Sequence, residues 1–181
     1  MTIETAALRG KRSGESLRFE EVVRAANLPG GMPRLVDVDL GKLHDLISWI
    51  AILEPSKETR TLRFVRAGAG IEQFLGRSAV GFDYLKIVDP AIHGDAFDSA
   101  FLMLERPCGL WQITPGLTAE GQKVSLETTA FPIFDHVRAR GQILVFIEHR
   151  FARGKPLPRA VQVQHSTEWC WIDMKQAYSA G

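Results

Sequence analysis

Residues 142–149 constrain this chain more than any other stretch. At their centre, Ile143-Leu144-Val145-Phe146-Ile147 is apolar at every position. Successive side chains of a strand point to opposite faces, so a strand of this composition is buried on both sides. The chain therefore needs cover for two faces of a sheet. Residues 16–26 are the candidate for the second cover. Ser16 can cap a helix there, and Phe19, Val22, Val23 and Ala26 follow the i, i+3, i+4, i+7 pattern. Asn27-Leu28-Pro29-Gly30-Gly31 stops it. This helix can cover the sheet of its own chain or of a partner subunit, which makes Phe19, Val22 and Val23 candidate interface residues.

The other elements follow from periodicity and breakers. Asp39 can cap a short turn running through Leu43 and Leu46. Residues 47–53 are apolar and rich in strand formers, and Pro55 closes them. Residues 62–67 form a second strand with Leu62 and Phe64 on one face, and the polar run 55–59 suits the hairpin loop between them. Gly68 and Gly70 lead into a short helix at 71–75. The longest helix is 94–105, with Phe97, Ala100, Phe101 and Leu104 at helical spacing and Pro107 after its end. Strands at 109–114, 123–134 and 142–149 follow as a meander. Two strands before a block of helices and three after it make an α+β fold with an antiparallel sheet. The expected organisation is a flexible lead-in at 1–15, the amphipathic helix and linker at 16–34, a core domain at 35–151 and a C-terminal tail at 152–181. Trp169 and Trp171 in that tail, beside Ile172 and Met174, are costly to expose. They either dock on a partner or pack back on the domain.

Composition supplies exclusions. The chain has 181 residues, 45% hydrophobic and 24% charged, with net charge +1. That balance is ordinary for a soluble globular protein and lacks the broad positive field that nucleic-acid binding uses. No run approaches the ~18 apolar residues of a membrane span. The start of the chain lacks a signal-peptide pattern, and two cysteines, Cys108 and Cys170, are too few for a disulfide framework. A cytoplasmic location is expected. Gly-x-Ser-x-Gly, a phosphate-binding Gly-Lys-Ser/Thr loop, His-Glu-x-x-His and Cys-x-x-Cys are all absent, so no enzyme is expected. The alternative of a small enzyme with a cone-like α+β cavity would need an inward carboxylate or Tyr/Asp pair, for which Asp83 and Tyr84 are the neighbours at hand. Arg138, Arg140, Arg150, Arg153, Lys155 and Arg159 form either an anion-binding surface or a solvated loop and linker.

The motifs Phe74-Leu75-Gly76-Arg77, Ser78-Ala79-Val80-Gly81 and Val88-Asp89-Pro90 stand in order before the longest helix. Together with Leu62-Arg63-Phe64-Val65-Arg66-Ala67-Gly68 they resemble a PAS domain, and more narrowly the compact single-domain PAS proteins common in alphaproteobacteria. The likeness spans about residues 35–150. It implies a five-stranded antiparallel sheet in spatial order 2-1-5-4-3, short helices cupping one face, and a flanking N-terminal helix. It implies a stand-alone sensory or regulatory module in bacterial signal transduction, dimerising through flanking helices. Such a module acts by contact with signalling proteins such as a histidine kinase. A ligand or partner would shift how helix 16–26 packs. In such a sheet Trp49, Phe97, Phe101, Trp111 and Phe146 can converge on a pocket for a small apolar or aromatic ligand, or simply fill the core. The cofactor is left unknown, with none the leading expectation. A haem- or flavin-bearing redox or gas sensor is the alternative. His93, just before helix 94–105, is then the candidate axial ligand, or else a residue that flanks the helix. A covalent flavin photocycle needs a cysteine in the helix at 71–75, and Ile71-Glu72-Gln73-Phe74-Leu75 has none.

Overall fold

The structure, a computed structural model, describes residues 2–26, 32–118, 121–149 and 160–174. The helix stop at 27–31, the linker at 153–159 and the cations Arg150, Arg153, Lys155 and Arg159 lie outside the described residues.

Helices α1 (Ala6–Arg9) and α2 (Gly14–Ala25) precede the sheet. The cap of α2 is Ser13 rather than Ser16: the Ser13 hydroxyl accepts from the Ser16 N–H at 3.1 Å. Ser16 is buried in the first turn, where its hydroxyl bonds Thr129 at 2.6 Å. Strands β1 (Ile50–Ser56) and β2 (Thr61–Ala67) form the first hairpin. Residues 47–49, expected in the strand, make a 3-10 turn, and β1 instead runs on through Pro55. Proline is tolerated there because β1 pairs with its other neighbour only from Ile50 to Leu53, so no ladder bond is lost on that side. Helix α3 (Ala69–Leu75), 3-10 turns at Tyr84–Ile87 and Pro90–Ile92, and α4 (His93–Glu105) follow.

The meander is β3 (Cys108–Thr118), β4 (Lys123–Asp135) and β5 (Arg140–His149). The sheet path β2-β1-β5-β4-β3 is antiparallel throughout, the order that the resemblance implies. Two further strands, β6 (Ala160–Val163) and β7 (Glu168–Asp173), extend it to seven. Both pair with the outer edge of β3, β7 against Cys108 to Ile113 and β6 against Gly116 to Thr118. Residues 160–163 and 168–173, within the segment assigned to a tail, are thus part of the sheet, satisfying backbone groups that β3 would otherwise leave open as an edge.

The residues assigned to a flexible lead-in are also built in. Trp171 donates its N–H to Thr2 and Glu4 donates to Trp171, both at 2.9 Å, so the segment lies along β7. Arg12 then anchors it. Its guanidinium pairs with Glu4 at 2.6 Å and with Glu20, and donates to the Ser16 hydroxyl at 3.1 Å. All three charged side chains are essentially solvent-free.

The apolar run of β5 receives its two covers from the same chain. Leu144 and Phe146 point to one face, with Ile50, Ile52, Trp111, Phe131, Ile133, Cys170 and Ile172, and α2 closes it with Phe19, Val22 and Val23. Ile143, Val145 and Ile147 point to the other face, beneath α3 and α4. Phe19, Val22 and Val23 are therefore core residues of this chain, not exposed interface residues.

Candidate functional site

The motifs before α4 prove to be turn devices. Gly76 ends α3 in the left-handed region (φ 63°), where a side chain is strained, and donates to Gln73 at 3.1 Å. Arg77 lies over the Phe82 ring at 4.4 Å. Asp89 accepts the Ala91 N–H at 2.9 Å while Pro90 opens the next turn. These bends lift α3 and α4 off the sheet.

Beneath them lies a cavity of about 860 Å³. Its floor reads off the register in transverse rows. One row is Ala51, Val145, Ala130, Leu110 and Trp171; the next is Ile147, Thr128, Gln112 and Trp169. Ala51 and Ala130 put small side chains at the centre of the floor, which leaves room above them. Phe74 from α3, Phe97, Ala100 and Met103 from α4, and Tyr84 and Ile87 form the roof. At one end Val88 bridges Val163, and Asp89 donates its N–H to Val163 at 2.8 Å, tying the roof to β6.

The rim beside the β1–β2 hairpin is charged. Lys57 pairs with Glu105 at 3.1 Å and stands 4.8 Å over the Phe101 ring, and Arg60 stands 5.0 Å over the Phe97 ring. At the other edge of the sheet is an uncharged polar cluster. Ser166 Oγ donates to Gln112 Oε1 at 2.9 Å and shares a bond with Thr114 Oγ1 at 3.2 Å. Burial pushes the Tyr84 phenol up to about 12, so it is a neutral hydroxyl at neutral pH.

The candidate aromatics separate by face. Phe97 and Phe101 line the cavity. Trp111 and Phe146 belong to the opposite face: Trp111 Nε1 donates to the Glu127 carboxylate at 2.7 Å, and the Phe146 ring is 5.7 Å from that of Phe19. Trp49 sits in the turn before β1, edge-on to Phe74 at 6.3 Å, and packs against the core on both sides without lining the cavity. Trp171 is buried and Trp169 is 38% exposed, and both line the cavity. Their rings meet edge to face at 6.2 Å.

His93 opens α4 with Nε2 2.9 Å from the Val88 carbonyl, and it is not a lining residue. Its ring is committed to the turn, which does not fit an axial ligand. Among the described residues no group of three or more His, Cys, Asp or Glu is placed to hold a metal ion. Asp83 and Tyr84 do not form an acid–base pair. The Asp83 carboxylate accepts the Leu62 and Leu85 N–H groups at 3.0 and 3.2 Å, while Tyr84 faces the cavity. No helix among the described residues is long and apolar enough to cross a membrane.

Sequence reasoning missed Gln112, Thr128 and Ser166, and weighed Tyr84 only as half of a pair with Asp83. The available signal was parity: Gln112 follows Trp111 and takes the opposite face, so placing Trp111 in the closed core places Gln112 in the cavity.

No family model matches the chain, and no curated protein matches it. Among solved structures, the PAS domain of a protein from Colwellia psychrerythraea aligns over 61% of this chain and 95% of that one. Sequence identity is 15% and the TM-score 0.43.

Proposed function

We propose that this chain is a sensory module that binds a small apolar or aromatic ligand in the cavity and reports occupancy through protein contacts. The observation that carries this reading is the contrast within one sheet. One face is closed by packed side chains, while the other keeps about 860 Å³ open under an apolar roof. Protein cores normally close such volume, and ligand sites of roughly 300–1,000 Å³ keep it. A ligand there touches α3, α4 and the rim hairpin, so occupancy shifts the population of their arrangements. The α2 packing invoked from the sequence lies on the far side of the sheet. The receiver, on this reading, is a signalling protein such as a histidine kinase, or a second copy of the chain. Both come from the family resemblance.

The dye 6-propionyl-2-(dimethylamino)naphthalene tests the cavity, because its emission moves to the blue in apolar surroundings. The expected result is saturable, blue-shifted binding that Ala130→Leu, which fills the floor, removes while the variant stays folded by circular dichroism. Absence of saturable binding, or undiminished binding by folded Ala130→Leu, overturns the reading. Light scattering checks self-association, and a monomer at tens of micromolar removes the second copy from it.

A further inference from the structure

The cavity is not uniformly apolar, and its polarity is organised by position. Across the floor the row through Ala51, Val145, Ala130 and Leu110 carries no side-chain polar atom, whereas the next row places Thr128 and Gln112 side by side. Directly paired residues on one face have Cβ atoms ~5 Å apart, close enough for both to hold one ligand atom. The third member comes from beyond the five-strand path. Ser166, between β6 and β7, bonds Gln112 and Thr114 and so fixes the Gln112 amide. That single bond engages one side of the amide. Gln112 makes no other side-chain hydrogen bond among the described residues and Thr128 makes none. Both line the cavity, so their remaining N–H and O–H groups are available inside it.

The cations stand elsewhere. Lys57 and Arg60 are at the β1–β2 rim with Glu105, and four interstrand spacings of ~4.8 Å separate β2 from β3. The other charged residues of the described lining, Asp95 and Asp98 of α4, are acidic. At the β3–β7 edge, the described lining residues include no lysine or arginine. The titratable group there is His165, which is exposed and turns Nδ1 to the Ser166 carbonyl at 2.9 Å. A carboxylate or phosphate placed beside Gln112 would meet no lysine or arginine and would share the cavity with the carboxylates of Asp95 and Asp98, which repel it. A neutral acceptor suffers no such penalty.

We propose that the cavity takes an uncharged ligand with an extended apolar body and one hydrogen-bond-accepting head, of the ketone, ester or amide class. Gln112 and Thr128 hold that head, with Ser166 fixing Gln112. This rests on the cavity being a ligand site, and it adds the chemistry of the ligand. The apolar body lies over Ala130 and Leu110 towards Phe97, and the head enters the row between Ile147 and Trp169.

The test compares 2-acetylnaphthalene, 2-ethylnaphthalene and 2-naphthoate as competitors of 6-propionyl-2-(dimethylamino)naphthalene on the full chain. These three share a ring system and differ in the head: neutral acceptor, hydrocarbon and anion. The ketone is expected to bind roughly tenfold more tightly than the hydrocarbon, the size of one net hydrogen bond, and more tightly than the carboxylate. Gln112→Leu should erase the ketone's advantage and leave 2-ethylnaphthalene binding intact. Ser166→Ala, in a connection outside the strands, should reduce that advantage without changing the fold. Equal affinity for ketone and hydrocarbon, tighter binding of the carboxylate, or an unchanged preference in both variants overturns the inference while the cavity still binds dye. Failure of the dye itself is a different result, because it removes the ligand site altogether.

Discussion

The two faces of this sheet have the same strands and opposite solutions. On the α2 face the side chains meet: Phe19 lies 5.9 Å from Phe131 and 5.7 Å from Phe146, ring centre to ring centre. Gly109 sits opposite Phe131, and a Cβ on it would fall 2.3 Å from that ring. Polar groups on this face are enclosed and satisfied, with Glu127 accepting from Trp111 Nε1 and from the Ser13 N–H at 3.0 Å. On the α4 face small floor residues and lifted helices leave a cavity. The difference teaches that the α2 face holds the fold together, while the α4 face keeps open volume. A packed face that supplies most of the stability lets the other retain a void, since cavities cost stability that something else must offset.

Substitutions on the α2 face should therefore dominate. Arg12→Ala leaves Glu4 and Glu20 buried without their central cation and is expected to cost about 3–5 kcal/mol, read by urea unfolding. A loss under about 1 kcal/mol would show that water reaches the cluster. Phe19→Ala should cost a similar ~3–5 kcal/mol, whereas Phe97→Ala should cost ~1–2 kcal/mol less, because the Phe97 ring already borders open volume. Equal costs would break the comparison.

The two cysteines give a finer probe, one on each face. Burial pushes both the Cys108 and Cys170 thiols up to about 11. The unfolded thiols titrate at ~8.5, so the stability contributed by keeping them neutral is complete below that pH. It is lost as pH rises towards 11. The urea midpoint should fall between pH 8 and pH 10.5, and a flat profile would show that the thiols are hydrated. At pH 8, labelling by an aromatic disulfide reagent should reach Cys108 before Cys170, and bound dye should slow Cys108 alone. The smallest effect on stability belongs to the rim. Lys57→Ala removes an exposed pair and should shift stability by less than ~0.5 kcal/mol. It should nevertheless speed dye release in stopped-flow measurements.

Much of the architecture was legible because it is local. The spacing of Phe97, Ala100, Phe101 and Leu104 marks the α4 helix, and Asp39 caps the turn it was expected to cap, accepting the Gly41 N–H at 3.2 Å. Boundaries moved where tertiary contacts outweighed local preference. Ser16 gave up the capping role to Ser13 because Thr129 holds its hydroxyl. The site was less legible. Helical spacing put Phe97 and Phe101 on one helix face and the family resemblance turned that face to the pocket, but Trp111 and Phe146 were drawn into the pocket because an aromatic on a strand can serve either face.

By itself the sequence determined that β5 must be covered twice, that an amphipathic helix was at hand for one cover, and that the strands and helices from α2 to β5 come in the order observed. Those are properties of neighbours along the chain, fixed by periodicity and capping. The tertiary structure alone decided which face each strand residue takes, because parity has meaning only once a register such as Gln112 opposite Thr128 is set. It also decided that residues 160–173 complete the sheet and that residues 2–12 lock onto β7, since pairings between distant segments leave no local pattern.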